Sequence, residues 1–470
     1  MSTEGHNPVA VIGAGPVGLA AAAHLVARGL PVKVYEAGAV AAHVRNWGHV
    51  RLFSPWEFNI DPMAREILLR TGWREPAAEG FPTGAELASD YLEPLARTPE
   101  LAPVIETGAR VSAIARLGID KVGSRDRATR PFVLTVVGDG GERRREFARA
   151  VIDASGTWAT QNPLGADGLP AEGETECADH VARGIPDVAG RERTAFRGRT
   201  TAVVGAGHSA ATVLLDLARL ADEAADTRIV WVTRSGNLAR VFGGGAADQL
   251  AARGALGSRL RALVDAGQVE LVAGFAVTGL HRDGDRVVLE GRDAEGSRRL
   301  APVDRVVVAT GQRPDPSLTR EIRVDLDPAL ESVRALGPLI DPNEHSCGSV
   351  RPHGHRELAH PEPGFYTVGI KSYGRAPNFL MLTGYEQVRS IAAALAGDLA
   401  AADDVRLVLP ETGVCSLQVD EVAQDCCGGP PTASADACCA GDEKARDETD
   451  TGCGCAPASP KPSPCCGEAA

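Results

Sequence analysis

The sequence predicts an α/β fold with two doubly wound domains, because one strand-helix-strand signature occurs twice. The first copy runs from the apolar Val9-Ala-Val-Ile12 through a helical stretch, Leu19 to Arg28, stopped by Gly29, into Val32-Lys-Val-Tyr35. The second runs from Thr201-Ala-Val-Val204 through His208 to Leu220 into Ile229-Val-Trp-Val232. Short, continuously apolar runs are strands buried on both faces, and a helix between two of them is the crossover that parallel strands need. In each copy the first strand also passes directly into a glycine-rich bend that opens the helix, the second mark of this fold.

The remaining elements follow the same logic. Val133 to Val137 and Val151-Ile152 read as strands, while Gln161 to Arg199, rich in Gly, Pro and charge, reads largely as connector. Val287 to Leu289 has the look of a hairpin edge and Val306 to Val308 of a buried strand. A helical pattern over Tyr385 to Ala401 closes the folded body. From Glu421 onward there is no aromatic residue, Leu or Ile. Such a tail cannot bury enough apolar surface to offset its ordering entropy, so it is expected to be disordered.

The 470 residues suffice for several cores, and 44% hydrophobic with 24% charged residues is the balance of a globular protein. A net charge of −13 repels nucleic acid and anionic membrane surfaces, so neither is expected as a partner. Met1 to Pro8 carries no Lys or Arg, so a secretory leader is not expected. The longest apolar stretch, Val9 to Ala23, is too short and too interrupted by glycine to span a bilayer. A cytoplasmic protein is the expectation.

The first bend is Gly13-Ala-Gly15-Pro-Val-Gly18, with Glu36 at the end of the following strand. Glycines at this spacing make a tight turn, let backbone approach a pyrophosphate, and let the helix pack on the strand. The helix N-terminus favours the phosphates, and Glu36 suits ribose hydroxyls, as in FAD or NAD. The second bend is Gly205-Ala-Gly207-His-Ser209-Ala210, where Ala replaces the third Gly, and Arg234 stands where an acid would. A guanidinium there can pair with a 2′-phosphate, which favours NADPH over NADH.

Two further turns, Asp153-Ala-Ser-Gly156 and Val308-Ala-Thr-Gly311, each follow an apolar strand. Taken in order, the four motifs make residues 7 to 400 resemble the two-dinucleotide-binding flavoproteins, which include flavin-containing monooxygenases and pyridine-nucleotide disulfide reductases. The resemblance implies two Rossmann-like domains, the NADPH domain inserted in the FAD domain. The FAD domain would open over 1–160 and resume over 304–412, with a connector at 161–198 and the NADPH domain at 199–303 between them. A disordered Cys-rich tail, 413–470, would follow. The body has no CxxC, against a flavin-proximal dithiol, and Arg45-Asn-Trp47-Gly48 is similar to the Trp segment of the monooxygenases.

Val241-Phe-Gly-Gly-Gly-Ala-Ala-Asp-Gln249, Ile340-Asp-Pro-Asn-Glu-His-Ser-Cys347, Lys371-Ser-Tyr-Gly-Arg375 and the tail further resemble flavin-binding monooxygenases associated with arsenic-resistance genes in actinobacteria. This resemblance implies arsenic detoxification as a context without fixing the reaction; the leading expectation is an FAD-dependent, NADPH-oxidising, monooxygenase-like oxidoreductase that passes electrons to oxygen or another small-molecule acceptor, with a homodimer as candidate assembly. Trp47, Gly156 and Gly369 join the expected cofactor contacts, with amides near Gly369 and a helix N-terminus near Thr383 facing the flavin. His345, Cys347 and Lys371 are the catalytic candidates.

Among Trp47, Phe53, Trp56, Phe58 and Trp73 most are expected in the core. His345, Cys347, His353, His355 and His360 are expected in an exposed loop, since their spacing fits no standard zinc site. The tail carries Cys426-Cys427, Cys438-Cys439, Cys453-x-Cys455 and Cys465-Cys466. Adjacent cysteines bridge each other only with strain but chelate soft cations well, so As(III) or a soft metal is the expected ligand. Two alternatives stand beside the monooxygenase: an NADPH-dependent disulfide or metal reductase using the tail dithiols, and a non-enzymatic metal-sequestering protein.

Overall fold

The computed structural model describes residues 7–242, 251–342, 352–376 and 379–406. Residues 1–417 form one compact unit, distinct from residues 418–470, which lie outside the described residues. In chain order the strands are β1 (Val9–Ile12), β2 (Val32–Tyr35), β3 (Ile105–Glu106), β4 (Ala109–Arg116), β5 (Phe132–Gly138), β6 (Arg143–Ala148), β7 (Ala150–Asp153) and β8 (Val181–Arg183). They continue as β9 (Thr200–Val204), β10 (Arg228–Val232), β11 (Glu270–Val272), β12 (Ala276–Asp283), β13 (Arg286–Asp293), β14 (Gly296–Arg299), β15 (Arg305–Val308) and β16 (Phe365–Thr367).

One parallel sheet has the order β16-β7-β1-β2-β3 and another the order β11-β10-β9-β15-β8. Two antiparallel sheets, β4-β5-β6 and β12-β13-β14, accompany them. The apolar runs behave as their patterning requires: all four residues of β1 and of β7 are buried, because both faces of a parallel sheet are covered.

Three expectations change. The strand Arg305–Val308, expected to open the return to the first domain, pairs with β9 and β8 and so completes the second sheet. The connector supplies β8 to that sheet, and β13 is the centre of its antiparallel sheet rather than an edge. Pairing between distant segments decides all three matters, and local composition does not carry it. The closing helix runs Met381–Leu395, and Gly397 at φ +84 breaks it before a short helix at Leu399–Asp403.

Helix α1 (Pro16–Ala27) starts with proline at its first position, where the missing N–H costs nothing. Its buried Ala20 to Ala23 let the backbone lie close to the first sheet on one side and to the closing helix on the other. Helix α2 (His208–Glu223) instead buries one apolar stripe, with Val213, Leu214 and Leu217 fully covered against Trp231 and Leu260. Each such leucine contributes about 1.5–3 kcal/mol by leaving water. Helix α3 is Met381–Leu395, and its Gly384 admits Val17 of α1, whose methyl a Cβ would strike.

A buried charge cluster ties the β4-β5-β6 sheet to the segment entering β16. Glu362 accepts from Arg116 Nε at 2.8 Å and from Arg127 Nη2 at 2.7 Å, and the Arg116 guanidinium lies 3.6 Å over the Phe132 ring. Burial alone would raise the Glu362 carboxyl; the two arginines outweigh it and hold the group below its ordinary value.

Candidate functional site

The two glycine bends stand at the carboxyl ends of β1 and β9, each built in the same way. The Gly13 N–H donates to the Tyr35 carbonyl at 2.8 Å and the Gly205 N–H to the Val232 carbonyl at 3.1 Å. Gly13 at φ +101 and Gly205 at φ +140 occupy backbone that favours glycine. A Cβ on Gly13 would lie 2.8 Å from the Ala154 carbonyl oxygen, and one on Gly205 would overlap the Ala309 carbonyl oxygen. The turns after β7 and β15 thus run directly against the bends, with the backbone of Ala154 and of Ala309 in contact with the glycines. Trp231 Nε1 donates to the Gly205 carbonyl at 2.8 Å and braces the second bend.

The middle glycines differ in kind. Among the described residues, chain neighbours aside, nothing lies within 4 Å of a Cβ built on Gly15 or on Gly207. These cap positions open α1 and α2, so the space a side chain would take faces outward at two helix N-termini, where a pyrophosphate fits. Gly18, by contrast, is needed for packing, since a Cβ there would overlap the Gly13 carbonyl oxygen. In the second bend Ala210 is wholly buried, so the extra methyl is accommodated between helix and strand, and Ser209 is half-buried in the first turn of α2.

Glu36 accepts from the Ala14 N–H at 2.7 Å and the Gly38 N–H at 2.8 Å, which aims its carboxylate at the first bend. Arg234 lies just beyond β10, exposed, with Nη1 donating to the Ala166 carbonyl at 2.6 Å. Between the sheets the chain crosses twice, and the crossings are bonded to each other. Asn162 N–H donates to the Gly311 carbonyl, Asn162 Nδ2 to the Thr310 carbonyl, and Arg313 N–H to the Thr160 carbonyl, at 2.9, 3.0 and 3.0 Å. Thr157 Oγ1 adds a bond to Gln312 Oε1 at 2.9 Å. Near this seam Phe53 lies with its ring centroid 5.2 Å from that of His208, the first residue of α2.

Lys371 is not a surface charge. It is buried, with Nζ 2.8 Å from Asp153 Oδ2 and 3.0 Å from Ser155 Oγ, and Asp153 also accepts from Ser155 Oγ at 2.6 Å. Burial alone would raise the Asp153 carboxyl; the Lys371 ammonium and the Ser155 bonds outweigh it and hold the group below its ordinary value. A lysine committed to this pair positions the turn beside Gly156, which has φ +73 and faces Ile370. Sequence reasoning misses the pair, although an acid closing the apolar β7 and a lysine inside the apolar segment after β16 are signals of it.

The Gly369 amide is corrected too. Its N–H donates to Gln387 Oε1 at 2.8 Å, so it serves the fold and is not open to a ligand. Gln387 Nε2 continues to Ser372 Oγ and His353 Nε2, both at 3.0 Å, which locks the turn to α3. The expected exposed loop of histidines is also replaced. His353 and His360 are buried, His355 reaches Asp403 at 2.9 Å, and His360 bonds the Asp325 N–H and Thr367. Among the described residues no group of His, Cys, Asp and Glu could hold a metal.

Trp47 is half-buried over Gly84, whose Cβ would fall 2.6 Å from the indole, so it packs as part of the core. His345 and Cys347 lie outside the described residues, as do Cys426, Cys427, Cys438, Cys439, Cys453, Cys455, Cys465 and Cys466. Among the described residues no helix is long and apolar enough to cross a membrane.

The family model of the pyridine nucleotide-disulphide oxidoreductases matches residues 7–331. The chain belongs to that family. Flavin-dependent oxidoreduction is therefore its class of chemistry, and FAD and NADP(H) are the cofactors that go with it. No curated protein matches the sequence. Among solved structures, the bacillithiol disulfide reductase of Bacillus cereus is similar at 18% identity and TM-score 0.61, covering 83% of this chain and 99% of its own. The FAD-bound cadaverine monooxygenase of desferrioxamine biosynthesis from Erwinia amylovora is similar at 13% identity and TM-score 0.60, covering 86% and 98%. A flavin monooxygenase from Stenotrophomonas maltophilia matches at 21% identity and TM-score 0.52, covering 83% and 98%. At these identities the likeness is one of fold, which reductases and monooxygenases share.

Proposed function

We propose that this family member is an FAD-dependent, NADPH-oxidising oxidoreductase of monooxygenase type. The observation that carries the reading is the pair of open glycine positions, Gly15 and Gly207, at the carboxyl ends of two parallel sheets in one compact unit. Gly13, Gly15 and Gly18 would hold the FAD pyrophosphate at the N-terminus of α1. The Glu36 carboxylate, fixed by two amides, has lone pairs left for the ribose hydroxyls. Gly205, Gly207 and Ser209 would hold the nicotinamide dinucleotide on α2, with Arg234 exchanging the Ala166 carbonyl for the 2′-phosphate. When bound, this pair supplies hydride transfer from nicotinamide to flavin and onward electron transfer to an acceptor. The protein's role is to orient both and to keep the Asp153–Lys371 charges paired beneath the first bend.

The absence of any CxxC in the sequence supports oxygen over a protein dithiol as acceptor. Cys177 is buried alone among the described residues, and burial pushes its thiol up, away from the reactive thiolate. The test is anaerobic: NADPH should bleach the yellow protein, and NADH should do so far more slowly. Admitted oxygen should then be recovered in an organic or metalloid product. Protein that cannot be loaded with flavin, or whose spectrum NADPH leaves unchanged, ends this reading.

The adjacent cysteines of the tail favour a second reading, in which they receive electrons or a soft metal(loid) such as As(III). Replacing the eight tail cysteines by serine in the full chain separates the two. A monooxygenase keeps its NADPH turnover, whereas a tail-coupled reductase loses acceptor reduction. A metal-sequestering protein would bind arsenite and consume no NADPH with any acceptor.

A further inference from the structure

The loop over residues 162–168 gathers three guanidiniums from three separate elements. Arg234, beyond β10, donates to the Ala166 carbonyl at 2.6 Å, and Arg313, beyond β15, donates Nε to Asn162 Oδ1 at 2.8 Å and Nη2 to the Gly168 carbonyl at 3.0 Å. Arg375 comes from the turn that follows β16 of the first sheet. One point, the place a Cβ would take on Gly168, is 3.7 Å from Arg313 Nη2 and 3.9 Å from Arg375 Nη2. The two nitrogens are therefore less than about 8 Å apart.

Among the described residues none of the three arginines is paired with a carboxylate, and the exposed Arg375 guanidinium makes no hydrogen bond. The acid of the loop, Asp167, spends its Oδ1 on the Leu169 N–H at 3.0 Å. In a chain of net charge −13, acids are plentiful, yet among the described residues none neutralises this convergence. Like charges brought together repel unless an anion accepts them, and carbonyl oxygens are only partial substitutes. Arg313 keeps Nη1 free after its two bonds, and Arg375 keeps its whole fork.

We propose that Arg313 and Arg375 form an anion subsite at the seam between the two parallel-sheet domains, taking a phosphate or carboxylate group. This chemistry has two sources, a phosphate of the nicotinamide dinucleotide or an anionic group of a small substrate. The subsite does not depend on the reaction assigned above.

The test is calorimetric titration of inorganic phosphate into the flavin-loaded full chain at low ionic strength, comparing the unaltered protein with Arg375→Ala and Arg375→Lys. Arg375 is exposed and bears no described side-chain bond, so its replacement leaves the fold intact. Phosphate affinity should fall at least about tenfold in Arg375→Ala and be partly restored in Arg375→Lys. The same variants titrated with NADP+ and NAD+ distinguish the sources. A tenfold loss for NADP+ with NAD+ unchanged assigns the subsite to the 2′-phosphate, a like loss for both assigns it to the pyrophosphate, and both dinucleotides unchanged with phosphate weakened assigns it to a substrate anion. Phosphate that fails to bind the unaltered chain, or binds Arg375→Ala equally well, overturns the proposal. Failure of the flavoprotein reading would show separately, as missing flavin absorbance before any phosphate is added, and the phosphate titration is then run on the same full chain without flavin.

Discussion

Replacing Lys371 by Met removes one half of a pair whose other half cannot reach water. Asp153 is 0% exposed and Lys371 6% exposed, so the variant leaves a carboxylate in the core with only Ser155 to bond it. Breaking a buried pair in this way costs about 3–5 kcal/mol, about a fifth or more of the stability of an ordinary domain. The pH dependence gives a second signature. In the unaltered chain the Asp153 carboxyl lies below its ordinary value, so its contribution is present above the ordinary carboxylate range and is lost as pH falls through the lowered value. In Lys371→Met, burial raises the same group instead, so the loss is greatest at neutral pH and eases as acid protonates the carboxyl. Urea unfolding at fixed FAD concentration, followed at pH 7 and at pH 4, measures both. The double variant Lys371→Met with Asp153→Asn should recover much of the loss at pH 7. A loss under about 1 kcal/mol at pH 7, or unchanged divergence from the parent in acid, would refute the assignment of a buried pair.

The middle and last glycines of the first bend should diverge in behaviour. Gly15→Ala, at φ −84 with no described residue beyond its chain neighbours near its Cβ, should fold normally and bind FAD at least about tenfold more weakly, read by flavin release on dilution. Gly18→Ala should lose about 1–3 kcal/mol of stability in urea, because its methyl overlaps the Gly13 carbonyl oxygen. Arg234→Ala should weaken NADPH and leave NADH unchanged in steady-state KM, which narrows the ratio between them. His360, whose Nδ1 accepts the Asp325 N–H, is held neutral by burial and pushed down to about 4 from 6.5. Its stabilising effect is present above pH 6.5 and falls by up to about 3 kcal/mol on the way down to pH 4. His360→Gln should flatten that slope in urea titrations relative to the parent.

The two sheets are readable because their strands are written as uninterrupted apolar runs ending in glycine, and a buried parallel strand leaves few other options. Glu36 and Arg234 are likewise visible, since each closes a second strand of its copy. What stays hidden depends on contacts between distant segments. A lysine inside an apolar segment and an acid closing an apolar strand each signal a buried partner, but nothing local matches Lys371 to Asp153, 218 positions away, and nothing near Gly369 announces that Gln387 takes its amide. The membership of β15 is misleading for the same reason, because its apolar run would suit either sheet. The histidines mislead because metal geometry is the wrong standard for their spacing. In the fold His353, His355 and His360 each meet their own partner: Gln387, Asp403 and Thr367.

The two passages of chain between the sheets are laced together by the bonds from Asn162, Gln312 and Arg313. A ribbon so joined bends readily about its own length but resists one half sliding past the other. Any swing of the nucleotide-binding halves would therefore keep a fixed axle through residues 157–163 and 310–313. Phe53 and His208 would be among the contacts exchanged when that door moved.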